Sequence, residues 1–254
     1  MIGKRLVAVC DILGFRNMIR NNPLGFFTDN IISYFLKALY YSVHKKEPPP
    51  ILPSLSMLRH ESDVGLAWFS DTVLMYAKDD TDESCRKLIE TIAWLLFVTN
   101  LTHPIKIRSG ISYGEVYLDE ENEIFVGAPI VDAYEFQGQQ EWSGGALDKS
   151  AYARIPSHVI QTNPFDWYLI PYNPPVRPPV NDLFLAIDWT RGLHPFNPFD
   201  WSEKSKVPTE EEVQTFPDVV EKWKNTKAFH EFACRHCGRG KKPRERSCAK
   251  PSAL

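Results

Sequence analysis

"VAVCDILGF", residues 7–15, decides how the chain folds. Val7, Ala8 and Val9 suit a strand inside a sheet, where small and β-branched side chains pack on the pleated surface. Asp11 stands at the end of that strand, and Ile12, Leu13 and Gly14 carry the chain into a turn. A second acid, Asp71, sits in apolar surroundings in "GLAWFSDTVLMYAK", residues 65–78. Residues 65–70 and 73–78 read as two strands that reverse direction around Ser70-Asp71-Thr72. Each acid therefore marks the place where a hydrophobic strand meets a turn.

Two explanations fit such acids. An Asp at a turn accepts a hydrogen bond from a nearby backbone N–H. Alternatively, two carboxylates at the ends of adjacent strands hold divalent ions. Mg²⁺ and Mn²⁺ prefer oxygen ligands, and a triphosphate brings several more. Gly14 beside Asp11 lets the backbone approach a phosphate closely. Spacing alone leaves both explanations open.

Outward from these segments the elements alternate. Residues 4–13 form the first strand. "FFTDNIISYFLKALYYSVH" (26–44) carries Ile31, Ile32, Phe35, Leu36, Leu39 and Tyr40 on a helical period, and the prolines of "KKEPPP" end it. "DDTDE" (79–83) starts a helix with acids in its first turn, which continues through "SCRKLIETIAWLLFVTNL" to Pro104. "IKIRSGISYGEVYLD" (105–119) reads as strand, and "EIFVGAPIVDAYEFQ" (123–137) as strand passing into helix. This order predicts an α+β fold, a sheet with helices layered on one face. Residues 164–216 are rich in Pro, Trp and Asn; short strands are expected at "DWYLIPY" and "FLAIDW". "TEEEVQTFPDVVEKWKNTKAFHEFA" resumes helix, before a basic tail. The expected organisation is a domain over 1–160, an extension over 161–236 packed on it, and a mobile tail over 237–254.

The 254 residues suffice for a substantial core. A formal net charge of −3 gives no global basic field for nucleic acid. The apolar runs are too short for a membrane span, and the N-terminus shows no cleavable signal. The five cysteines form no disulfide framework, which points to a reducing, cytoplasmic setting. His230, Cys234, Cys237 and Cys248 are four possible zinc ligands, but the last two lie in or beside the Lys/Arg-rich tail, so a reduced, exposed tail is the expectation. His44, His60 and His103 have no patterned partners for acid–base catalysis.

These motifs carry a resemblance. "VAVCDILGF" resembles the "DIVGF" signature of class III nucleotidyl cyclases, and "WFSDTVLMYAK" resembles their "GDGVMAVF" hairpin. "IKIRSGISYGEVYL" is similar to their "LRVGIHTGEVV" strand, and "FVGAPIVDAYEFQ" takes the place of "VIGDAVNLAARL". The likeness runs over about residues 5–155 and is strongest to the pyrimidine nucleotide cyclases of bacterial antiphage signalling, the Pycsar systems. It implies a ferredoxin-like cyclase sheet and a homodimer with its sites across the subunit interface. It also implies two Mn²⁺ or Mg²⁺ ions per site, held by Asp11, Asp71 and the carbonyl of Ile12, with Gly14 and Phe15 beside the nucleotide. The implied reaction turns UTP into cyclic UMP and pyrophosphate, with cyclic CMP from CTP, or nucleotide binding without turnover, as alternatives. A protein gated by the cyclic nucleotide is implied as the downstream effector.

Three departures from the family pattern matter. Adenylyl cyclases carry an adenine-reading Lys four residues before the second metal Asp, and Ala67 stands there. Their Asp or Thr three residues before the helix-opening Gly is replaced by Ile124. A site lined this way loses the polar groups that recognise adenine. Trp68 lies close by and narrows the pocket only if its face of the strand is the right one. Counting from Gly127, the family's Asn and Arg positions hold Val131 and Glu135, or Asp132 and Phe136 in the neighbouring register. Arg108 is then the leading candidate for a cation at the phosphates, with Arg16 and Lys106 behind it.

Overall fold

The computed structural model describes residues 2–101, 105–162, 164–179, 184–193 and 217–236. The expected helix stop at Pro104, the segment 194–216, and the tail with Cys237 and Cys248 lie outside the described residues, as does His103.

The first strand, β1 (Ile2–Ile12), is flanked by β3 (Thr72–Ala77) and β4 (Ile107–Asp119), both antiparallel to it. β2 (Val64–Phe69) pairs with β3, and β5 (Ile124–Val126) folds back on β4. β6 (Gly145–Leu147) runs parallel to β4, β8 (Leu185–Ile187) pairs with β6, and β7 (Leu169–Pro171) forms the edge. The result among the described residues is one 8-stranded sheet of order β2-β3-β1-β4-β6-β8-β7, with β5 to the side. The two short strands expected in the extension are β7 and β8, and they continue the main sheet.

Alternation along β1 assigns the two faces. Leu6, Ala8, Cys10 and Ile12 point into the main core, with Leu66, Val73 and Met75. Helices α3 (Ser33–His44) and α5 (Asp82–Leu101) cover that side through Phe35, Leu39, Leu88 and Ile92. A short helix α2 (Leu24–Phe26) and a π-helical stretch, Phe27–Ile32, lead into α3 without a break. Two further helices, α1 (Phe15–Asn21) and α4 (Leu55–Arg59), are too short to show a helical period in the sequence.

Val7, Val9, Leu74, Tyr76 and Val116 line the opposite face. A sheet with helices on one side was expected; here α6 (Ala128–Gln139) also crosses this second face, over β1 and β4. Glycines in β4 make room for it. A methyl group at Gly110 would run into the Ala133 carbonyl and the Gln137 backbone nitrogen of α6. Gly110→Ala should therefore destabilise the protein by about 1–3 kcal/mol, the usual cost of overpacking, read from the urea midpoint. An unchanged midpoint would mean that α6 is not seated on this glycine.

The segment after α6 is held by the extension. The Ser143 N–H donates to Thr226 Oγ1 at 2.8 Å, and Asn225 Nδ2 donates to the Glu141 carbonyl at 2.8 Å. Both partners belong to the last described helix, α9 (Pro217–His236), whose Phe229 packs against Trp142 and Tyr172. Two further helices, α7 (Lys149–Arg154) and α8 (Ser157–Thr162), lie between β6 and β7.

Candidate active site

The antiparallel pairing of β1 and β3 sets the two acids side by side. Asp11 pairs with Thr72, and the Ile12 N–H donates to the Asp71 carbonyl at 3.1 Å. β2 and β3 join through a two-residue turn, Ser70-Asp71, shorter than the three-residue reversal expected. On the other flank Asp11 pairs with Arg108 of β4. Arg108 Nη2 donates to Asp11 Oδ2 at 3.2 Å, while Nη1 donates to the carbonyls of Gly138 and Gln140, each at 3.2 Å. The guanidinium is thus held between the Asp11 carboxylate and the C-terminal end of α6. Its Nε is buried without a hydrogen-bond partner.

Burial pushes the Asp11 carboxyl up to about 6; the positive charge of Arg108 opposes this, and the nearby negative charge of Asp71 adds to it. An acid whose folded pKa is raised binds its proton more tightly when folded. Stability on this account is largest below the ordinary value of 3.8 and falls as pH rises through about 6. In metal-free protein at pH 7, Asp11→Asn should therefore raise stability by roughly 1–2 kcal/mol, and the gain should vanish near pH 4. Denaturation in EDTA at the two pH values checks this; equal stability of wild type and variant at pH 7 would argue against a strained acid pair.

The donor set suits a hard divalent cation. Two carboxylates lie close together, Asp11 being strained first by burial and then by the charge of Asp71, and a cation between them would offset both. Among the described residues no group of three or more His, Cys, Asp or Glu converges. Two carboxylates with substrate phosphates completing the shell is the usual arrangement for Mg²⁺. The residues present therefore fit the expected ions.

The other candidates fall at defined places. Gly14 takes a left-handed conformation, φ 76°, where α1 begins, and its absent side chain leaves the turn open. Phe15 is buried against Phe27, with ring centroids 5.0 Å apart. Arg16 is exposed in the first turn of α1. Lys106 points elsewhere: its Nζ donates to the carbonyls of Thr99 and Asn100 near the end of α5, and burial lowers its pKa to about 8. Ala67 lies beside Leu74 on the face that carries Val7 and Val9. Trp68 packs on the other face, edge-on to Phe35 at 5.8 Å, and so does not narrow a pocket next to Ala67.

Ile124 is remote from the acids. It pairs with Asp119, beyond the level of Ile2, at the far end of β1 from Asp11, a separation of about 36 Å along the strands. On α6, Val131, Asp132, Tyr134 and Glu135 are exposed, whereas Phe136 is buried and stacks on Phe184. Cys234 Sγ lies 3.7 Å from His230 Nε2.

Sequence reasoning missed the carbonyls of Gly138 and Gln140, which depend on where α6 stops. It also missed Ser70, a non-glycine residue at φ 60° beside Asp71. A two-residue hairpin loop was the available signal for the latter.

No family model matches the chain, and no curated protein matches it in sequence. Solved structures do match its fold. The monomeric guanylyl cyclase domain of the RhoGC fusion protein from the aquatic fungus Blastocladiella emersonii superimposes with a TM-score of 0.50 at 13% identity, over 72% of this chain and 94% of that one. The guanylate cyclase domain of RhGC from Catenaria anguillulae in complex with GTP gives 0.47 at 11% identity, over 72% and 93%. The adenylyl cyclase CyaB from P. aeruginosa gives 0.44 at 12% identity, over 73% and 94%. The chain thus carries the α+β fold of a nucleotide cyclase domain.

Proposed function

We propose that the protein is a metal-dependent nucleotide cyclase that converts UTP to 3′,5′-cyclic UMP and pyrophosphate. The observation that carries this reading is the convergence of Asp11 and Asp71 at adjacent strand ends, on the sheet of a fold shared with a cyclase domain. In the reaction the ribose 3′-hydroxyl oxygen bonds to the α-phosphorus and gives up its proton to water. The bond from that phosphorus to the bridging oxygen breaks, and pyrophosphate leaves. Divalent cations, when bound, neutralise charge on the phosphates and polarise the α-phosphoryl group. Asp11 and Asp71 would hold them. Arg108 fixes the Asp11 carboxylate between β4 and the end of α6, and Gly14 leaves backbone open beside the phosphates. We assign Arg108 this orienting role because its guanidinium is occupied by three acceptors.

The active form in this reading is a homodimer. Ala67 lies on the face that carries Asp11, whereas Ile124 lies at the other end of the sheet and, by the alternation that puts Phe125 beside Val7 and Val9, on the opposite face. A single chain therefore does not bring Ile124 to the acids, and a two-fold partner is the source of the second lining residue in this reading. The side of the sheet that carries the acids has apolar surface to offer: Phe69 is 85% exposed, and Val131 and Tyr134 on the outer side of α6 are each more than half exposed. Uracil is favoured over purines because Ala67 and Ile124 offer no polar group to a purine. Cytosine is the alternative base. A second-messenger role in antiphage immunity rests on the likeness of the motifs to the Pycsar cyclases.

Pyrophosphate release tests the reading. Release is expected from UTP with Mn²⁺, and none with EDTA or with 3′-deoxy-UTP, which lacks the attacking hydroxyl. Equal release from the 3′-deoxy substrate would exclude cyclisation.

A further inference from the structure

The turn that presents Asp71 is held in an unfavourable conformation by a side chain from the other face of the sheet. Ser70 has φ 60°, a left-handed region that side-chain-bearing residues adopt at a cost. In a two-residue hairpin loop such a position usually holds glycine, asparagine or aspartate. Here the Trp68 indole N–H donates to the Ser70 carbonyl at 2.7 Å. The indole ring is fixed in turn against Phe35 of α3. The peptide joining Ser70 to Asp71 is therefore anchored on one side by Trp68. On the other side the Asp71 carbonyl is anchored by the Ile12 N–H at 3.1 Å. Asp71 has little freedom left to swing its backbone away from Asp11.

We infer that Trp68 is a positioning residue for the divalent-cation site, aligning Asp71 through the indole–Ser70 hydrogen bond; this rests on the reading of Asp11 and Asp71 as metal ligands. Partners that orient metal ligands typically contribute a factor of about 10–100 in metal affinity. Trp68 packs on the face of the sheet opposite Asp11, and its ring packing is chemically distinct from its N–H bond to Ser70.

Mn²⁺ titration of the full chain, followed by the electron paramagnetic resonance of free Mn²⁺, tests the inference. Trp68→Phe keeps an aromatic ring on Phe35 and removes the donor. It should bind Mn²⁺ about tenfold more weakly than wild type, and raising Mn²⁺ should restore its turnover. Phe35→Leu keeps the donor but loosens the ring that carries it, and should weaken Mn²⁺ binding by less than Trp68→Phe does. Asp71→Asn should lose tight binding altogether. Wild-type Mn²⁺ affinity in Trp68→Phe alongside lost binding in Asp71→Asn would overturn the positioning role alone. Wild-type affinity in Asp71→Asn would overturn the metal-site reading and the inference with it. Should Trp68→Phe fail to fold, benzothienylalanine at position 68 keeps the bicyclic ring, lacks the N–H and carries the same expectations.

Discussion

Asp71→Asn should abolish cyclisation, with turnover at least about a thousandfold below wild type. Metal-ion stabilisation of the transferring phosphoryl group is worth several kcal/mol, and each 1.4 kcal/mol is about tenfold in rate. Asn keeps the volume of Asp and can occupy the same turn, so the backbone bond from the Ile12 N–H to residue 71 survives. Asp11→Asn should have an equally large effect, although it should leave the metal-free fold more stable, because burial and the charge of Asp71 strain this acid. Activity and stability then move in opposite directions in one variant, which general damage to the fold does not produce. Initial rates with Mn²⁺ and with Mg²⁺, beside circular dichroism of the same samples, check this. Wild-type turnover in either variant would remove the acids from the chemistry.

Discrimination among bases should be the second large effect. With all four nucleoside triphosphates present at equal concentration, cyclic UMP should dominate, cyclic CMP should come second, and the purine products should be lower by about a hundredfold or more. A site that offers polar partners to a base rejects bases that leave them unpaired, and a site without them cannot compensate the desolvation of a purine's amine and ring nitrogens. Ala67 packs beside Leu74 and near Val7 and Val9, and its methyl group offers a base no hydrogen-bond partner. Ile124 is half exposed on β5 and offers only hydrocarbon. Mass spectrometry of the mixed products decides the order. Dominant cyclic CMP would exchange the two pyrimidines; dominant cyclic AMP or cyclic GMP would overturn the apolar-pocket argument.

The central strands were legible because burial writes itself into their composition. Val7 to Ile12 and Val73 to Ala77 are nearly continuous apolar runs, and the single acid in each region stands out. Register was not legible. A slip of one residue exchanges the faces of a strand, so the direction of Trp68 depended on whether the reversal took two residues or three. The two-residue turn sends Trp68 toward Phe35 and leaves Ala67 on the face of the acids. The bond between Arg108 and Asp11 depends on the β1–β4 register and on α6 ending near Gly138, neither of which has a local sequence signal. Lys106 looked like a free cation beside the site, but burial turns it onto the carbonyls of Thr99 and Asn100. Ile124 stands at a motif position by resemblance, yet a single chain places it at the other end of the sheet from Asp11. Motif order does not say which copy of the chain supplies each residue. α1 and α4 span seven and five residues, less than two helical turns, so no period could reveal them.

The central claim is that the acids at the ends of β1 and of the β2–β3 hairpin serve an intramolecular attack on a nucleotide α-phosphate. Phosphorus nuclear magnetic resonance of wild-type protein with UTP and Mn²⁺, the metal removed by chelation before acquisition, follows every phosphorus at once. The three triphosphate resonances should give way to one cyclic phosphodiester resonance and pyrophosphate, in equimolar amounts. UTP left unchanged, or converted to UDP and inorganic phosphate, would contradict the claim.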